Sequence, residues 1–124
     1  MKLRNTFLLV AALGVIAFVI YYTFSSPYKV TSEKAKRLLS EGKIDVVLDV
    51  RTKKEYDVGH YPEALNIPTA VLSEQVETMI PEKETSILVY CNTGQRSRWA
   101  TDVIKKKGYK NVLYITGPYW SLLR

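Results

Sequence analysis

The chain has 124 residues, 47% of them hydrophobic, one cysteine and a formal net charge of +6. That length allows one domain, and a lone cysteine excludes an internal disulfide. The basic residues are dispersed as Lys34/Lys36/Arg37, Lys53/Lys54 and Lys105/Lys106/Lys107 with no interleaved aromatics, a pattern of solvated helix faces that speaks against a nucleic-acid surface.

Residues 7–24, FLLVAALGVIAFVIYYTF, are an unbroken uncharged run preceded by Lys2 and Arg4 in a short basic tail, residues 1–6. The run is longer than the apolar core of a signal peptide, about 7–15 residues, and Tyr21 and Tyr22 have the character of interfacial aromatics. A single transmembrane helix is therefore expected. The small-x-small triplet Thr23-Phe24-Ser25 keeps a cleaved signal peptide as the alternative. Lys2 and Arg4 favour an inside N-terminus, whereas Lys29, Lys34, Lys36 and Arg37 pull the other way. The expectation is a single-pass membrane protein with its domain outside the cytoplasm.

Residues 25–28 are a short linker, and residues 29–124 are left for the domain. Lys29-Val30 is long enough only for an edge strand. Thr31 or Ser32 caps a helix through Ala35, Leu38 and Leu39 that stops at Gly42. Asp45–Val50 is an apolar run bounded by acids, as in a strand buried on both faces. Thr52-Lys53-Lys54-Glu55 fits a capping box, so a short helix begins after Arg51. An irregular connection with Gly59, Pro62 and Pro68 holds a short strand at Ala64–Ile67. Thr69 is expected to cap a helix with Val71, Leu72, Val76, Met79 and Ile80 at helical spacing, ended by Pro81. Ile87–Tyr90 reads as a buried strand. Ser97–Lys107 reads as a helix with three lysines in its last turn and Gly108 as its stop. Asn111–Ile115 is a last strand, and Tyr119–Leu123 begins an element that the chain is too short to extend. Alternating strands and helices imply an α/β domain whose mainly parallel sheet is covered on both sides.

Cys91 stands where a strand hands over to a helix, in Tyr90-Cys91-Asn92-Thr93-Gly94-Gln95-Arg96-Ser97. A loop there directs backbone N–H groups and the positive end of the helix dipole at an anion, lowers a thiol's pKa and exposes a thiolate. In α/β folds ligands bind beyond the carboxyl ends of the strands. The plain alternative is that a cysteine after a strand is a small buried hydrophobe. Arg96 is unfavourable to the dipole at a helix start, a cost that suggests function. Gly94 allows a dihedral that other residues resist.

Together, Asp49-Val50-Arg51, Glu55-Tyr56, His60 through Pro68, the Cys91 loop, Gly108-Tyr109 and Val112 resemble a single rhodanese domain over roughly Val30 to Trp120. The resemblance implies a three-layer α/β sandwich and a sulfurtransferase. Four residues separate Cys91 from Arg96, and a six-residue loop is the form used by sulfurtransferases of the family. Its phosphatases and arsenate reductases carry one residue more, to surround a bulkier oxyanion. Cys91 is then the nucleophile that accepts a sulfane sulfur from thiosulfate or another persulfide donor and passes it to a thiol or cyanide-like acceptor. Asn92, Thr93, Gly94, Gln95, Arg96 and Ser97 surround the substrate, with Arg96 holding an anionic donor or the thiolate. Asp49, Arg51 and His60 are structural. No metal or organic cofactor is implied. The chain departs from the family pattern at Gly117-Pro118, where Gly-Gly is usual, and at Glu63, where glycine is common. Its last helix is nearly absent, and its loop has one cation where some thiosulfate-using members have two. These departures keep a second reading open, a non-enzymatic binding or persulfide-carrying module that acts on a membrane partner.

Overall fold

The computed structural model describes residues 2–123. A long helix, α1 (Lys2–Phe24), precedes the domain and takes in most of the short basic tail. Its apolar side chains stay exposed from residue 2 to residue 21. At a mean hydropathy of 2.4 over its best window it is long and apolar enough to cross a membrane.

The domain alternates as expected: α2 (Ser32–Ser40), β1 (Val46–Asp49), α3 (Lys53–Val58), β2 (Leu65–Asn66), α4 (Thr69–Met79), β3 (Ser86–Tyr90), α5 (Gln95–Lys106), β4 (Asn111–Tyr114) and a 3₁₀ turn at Tyr119–Leu122. The four strands are parallel in the order β2-β1-β3-β4. Lys29 adds a single parallel bridge to Tyr114 at the β4 edge, so the short edge strand is there in rudiment.

Side chains alternate across the sheet with the period of a strand, and each face has its own core. Leu48, Val50, Ile87, Val89, Val112 and Tyr114 meet Leu72 and Val76 of α4 and Ala100 and Ile104 of α5. Val47, Leu88, Tyr90 and Ile115 meet Ala35 of α2 and Leu122 of the 3₁₀ turn. Because both faces are covered, β1 and β3 carry continuous apolar stretches, Val46–Leu48 and Ile87–Tyr90, as their sequences suggested. The fold is the expected α/β sandwich, with three layers around a parallel sheet.

Local signals account for most element ends. The Thr31 side chain accepts the Lys34 amide at 3.1 Å, and Thr52 and Glu55 complete the capping box of α3. Gly42 and Gly108 adopt positive φ after α2 and α5. Two expectations are corrected. Thr69 is the first residue of α4 and not its cap: Pro68 holds that place with no side-chain bond, its fixed φ serving the helix entry. Helix α5 starts at Gln95, two residues early, because Gly94 turns the chain directly into helical backbone. Gln95 and Arg96 therefore belong to its first turn, which draws the loop tightly around the cysteine.

Candidate active site

The carboxyl ends of β1 and β3 and the start of α5 converge on Cys91. The cysteine is 1% exposed, so the expected exposed thiolate is corrected: the sulfur lies at the floor of the loop and not on its rim. The Gly94 amide donates to Sγ at 3.2 Å and the Ser97 amide at 3.4 Å. The Ser97 Oγ lies 3.5 Å from Sγ and also reaches the carbonyls of Gly94 and Ile115, each at 3.1 Å. A hydroxyl has one proton. It can accept from a thiol while serving a carbonyl, or turn to a thiolate. Burial works against the charged sulfur. The Ser97 hydroxyl and the amides of Ser97, Gly94 and Thr93 outweigh it, and the Cys91 pKa falls below the ordinary thiol value.

Gly94 makes this geometry possible in two ways. Its φ of +100° lies in the left-handed region. A Cβ there would also come within 2.8 Å of the Thr116 γ-methyl and 2.9 Å of the Thr23 γ-methyl. No side chain caps α5, and the amides of Gly94 at its entry and Ser97 in its first turn serve the sulfur instead.

Arg96 does not reach into the loop. Its Nη1 and Nη2 donate to Glu55 Oε1 at 2.7 Å and Oε2 at 3.0 Å, a two-pronged pair across the site's edge. Asn92 Nδ2 donates to the same Oε2 at 3.0 Å. The Arg96 guanidinium is the main cause that holds the Glu55 pKa down at about 2. The Thr93 hydroxyl turns to Gln95 Oε1. Beside this rim Thr69, Ala70, Gln95, Arg96 and Trp99 line an open cavity of about 320 Å³.

Asp49, Arg51 and His60 take no part in the sulfur's hydrogen bonds. Arg51 donates through Nη2 to Asp49 Oδ2 at 2.7 Å and to the Gly59 carbonyl at 2.6 Å. The Tyr90 hydroxyl donates to Asp49 Oδ2 at 2.6 Å and accepts the Tyr61 amide at 3.1 Å. Burial and the Asp49 carboxylate raise the Tyr90 pKa, so its proton stays. Asn66 Nδ2 ties the carbonyls of Asp49 and Arg51 to β2, at 3.0 Å each. His60 stacks on Tyr56 at 3.6 Å between centroids, and its Nδ1 donates to the Tyr56 carbonyl at 2.7 Å. These satisfied buried groups pin the loop that follows β1. Among the described residues no group of three metal-ligating side chains is present.

Sequence reasoning missed one contributor. Glu55 reads as a cap, and its second task toward Arg96 and Asn92 spans 41 and 37 residues, which no local pattern records. Ser97, expected among the loop residues, adds its side-chain hydroxyl to its amide beside the sulfur.

Residues 31–120 match the family model described as a rhodanese-like domain. The chain is 35% identical over 65 residues to the thiosulfate sulfurtransferase PspE of Escherichia coli K12, covering 52% of this chain and 62% of that protein. It spans less than two thirds of the length of the curated relatives it matches. Among solved structures, the human single-domain sulfurtransferase TSTD1 superposes with a TM-score of 0.68 at 25% identity, over 79% of this chain and 96% of that one. A rhodanese from E. coli, solved with anions, superposes with a TM-score of 0.56 at 32% identity, over 61% and 88% respectively.

Proposed function

The chain belongs to the rhodanese-like domain family, and on that premise we propose that it is a membrane-anchored sulfurtransferase working through a persulfide on Cys91. The observation that carries this reading is the set of donors around a buried sulfur: the Gly94 and Ser97 amides and the Ser97 hydroxyl. These groups stabilise a thiolate, and after transfer they suit a terminal sulfur anion in the same loop.

The chemistry balances without a cofactor. The Cys91 thiolate attacks the sulfane sulfur of a donor, forming an Sγ–S bond as the donor's S–S bond breaks. If the donor is thiosulfate, sulfite leaves with the electron pair. A thiol or cyanide-like acceptor then attacks the outer sulfur, and the Cys91 thiolate is released. The neighbouring cavity, walled by Trp99 and Ala70, is a route for the acceptor. Because Glu55 already pairs Arg96, the hold on an anionic donor rests chiefly on backbone amides. Thiosulfate is therefore a slower donor than a less charged persulfide. The support for anchoring is α1 itself, whose exposed apolar surface needs cover that the domain does not supply.

Intact-mass measurement after incubation with thiosulfate tests the site. A gain of one sulfur atom in the wild type, absent in Cys91→Ala, is expected, and equal masses would sink the proposal. Thiocyanate formation over many turnovers separates an enzyme from the second reading, a persulfide carrier or binding module. The Glu55–Arg96 pair favours that second reading, since it withdraws the loop's cation; a carrier loads once and tolerates Arg96→Ala. Flotation of the full chain with lipid vesicles, resistant to alkaline carbonate, tests anchoring.

A further inference from the structure

The end of α1 is packed into the domain behind the Cys91 loop. Thr23 is the buried residue of that helix. Its γ-methyl backs Gly94 so closely that a Cβ on the glycine would lie 2.9 Å away. Gly94 is the residue whose amide reaches Sγ at 3.2 Å and whose carbonyl accepts the Ser97 hydroxyl. The Thr23 carbonyl accepts the buried Tyr114 hydroxyl at the end of β4. One residue earlier, the Tyr22 hydroxyl donates to Asp102 Oδ2 at 2.9 Å, and the Arg98 guanidinium lies 4.5 Å from the Tyr22 ring centroid. Arg98 and Asp102 both belong to α5, the helix that Gly94 opens, and Arg98 Nε is 3.2 Å from Asp102 Oδ2. By contrast Tyr21, a neighbour of the same type, is 70% exposed.

We infer that the last turn of α1 is a positioning element of the sulfur site, Thr23 bracing Gly94 from behind and Tyr22 clamping α5 through Asp102 and Arg98. The Thr23 hydroxyl has no hydrogen-bond partner among the described residues. What the position contributes is therefore its methyl group and its carbonyl, and not its polarity. A brace confined to the glycine side makes sense physically. Gly94 has no side chain to hold its own place, its backbone is the most permissive in the loop, and its amide must stay aimed at one sulfur atom. Thr116 presses on the same point from the other strand end. It follows that α1 is retained in the working protein. Cleavage after Phe24 or Ser25 would take away both Thr23 and Tyr22 and leave the Tyr114 hydroxyl buried without its acceptor.

The inference rests on Cys91 being the reactive thiol, and the test separates the two. The rate of Cys91 alkylation is followed against pH in the full chain in detergent micelles, for wild type, Thr23→Val, Thr23→Ser, Thr23→Ala and Tyr21→Ala. Valine keeps a methyl at the contact and should leave the inflection where wild type has it, as should Tyr21→Ala. Serine and alanine lose the methyl and should move the inflection up by roughly half a pH unit or more, the effect of weakening one hydrogen bond to a thiolate. Fluorescence of Trp99 and Trp120 reports whether each variant is folded. Folded serine and alanine variants with the wild-type inflection, or a valine variant shifted as far as serine, would overturn the brace. A wild-type inflection at the value of free cysteine would overturn the sulfur-site reading and the brace with it. A second measurement needs no variant: the mass of the protein recovered from expressing cells should include residues 22–24, and a form that begins after Phe24 or Ser25 overturns the inference.

Discussion

Replacing Glu55 by glutamine isolates the charge at the edge of the site. The carboxylate takes two hydrogen bonds from Arg96 and one from Asn92, and it also completes the capping box with Thr52. Glutamine serves a capping box as glutamate does, so α3 should still begin at Lys53. The pair is about a third exposed, with side chains at 36% and 31%, and its loss should lower stability by only about 0.5–1 kcal/mol. The effect on the reaction is larger and depends on the donor. By Coulomb's law, one negative charge set about 7 Å from a dianion in a water-like dielectric is worth about 1.2 kcal/mol, cut to about 0.5 kcal/mol by physiological salt. Thiosulfate kcat/KM should therefore rise roughly two- to eightfold in Glu55→Gln, the rise shrinking as salt is added, while an uncharged persulfide donor gains little. Steady-state rates with both donors at two ionic strengths provide the measurement. An equal change for both donors, or a loss with thiosulfate alone, would refute the reasoning, since either outcome means that Glu55 shapes the loop and does not screen its cation.

Three further outcomes follow from the geometry. Glu63 is the one non-glycine residue at positive φ among those described, at +67°; Glu63→Gly should raise stability by about 0.5–1 kcal/mol in urea unfolding, because left-handed backbone strains a side chain with a Cβ. Asp49→Asn breaks a fully buried pair with Arg51 and weakens the bond from Tyr90, so a loss of about 3–5 kcal/mol is expected in the same assay. The Cys91 pKa lies below the ordinary thiol value, so the transfer rate should climb tenfold per pH unit on the acid side and level off above an inflection that is lower than a free cysteine's. Glu55 adds no break to that profile near neutrality. Held at about 2, it contributes stability in full above its unfolded value, the ordinary 4.5, and loses it only as pH falls from there through 2.

Much of the fold was legible in the chain because its signals are local. Val46–Leu48, set between acids, and Ile87–Tyr90 are continuous apolar runs, the pattern of a sheet covered on both faces, and both faces are covered. Thr31, Thr52, Gly42 and Gly108 mark helix ends through bonds and dihedrals that span three or four residues. The departure at Glu63 was visible too, since a position where the family favours glycine is one where backbone conformation outweighs side-chain chemistry. The position of Cys91 at the mouth of a strand–loop–helix turn likewise follows from neighbours in sequence, as does the positive φ of Gly94.

Tertiary structure alone decided how those residues are used. Arg96 was expected to face the donor, yet Glu55, 41 positions earlier, turns it aside. Cys91 was expected to be exposed, yet the early start of α5 at Gln95 folds the loop over it. Residues 7–24 announced a candidate membrane span through hydropathy, a sum over the segment that is blind to where the helix ends. Only the folded chain brings Thr23 of that segment against Gly94 and Tyr22 against Asp102, contacts 71 and 80 residues apart. Composition and spacing determine which groups a loop can offer, because propensity and hydropathy act between near neighbours. Which of those groups are aimed, paired or braced depends on packing between distant elements.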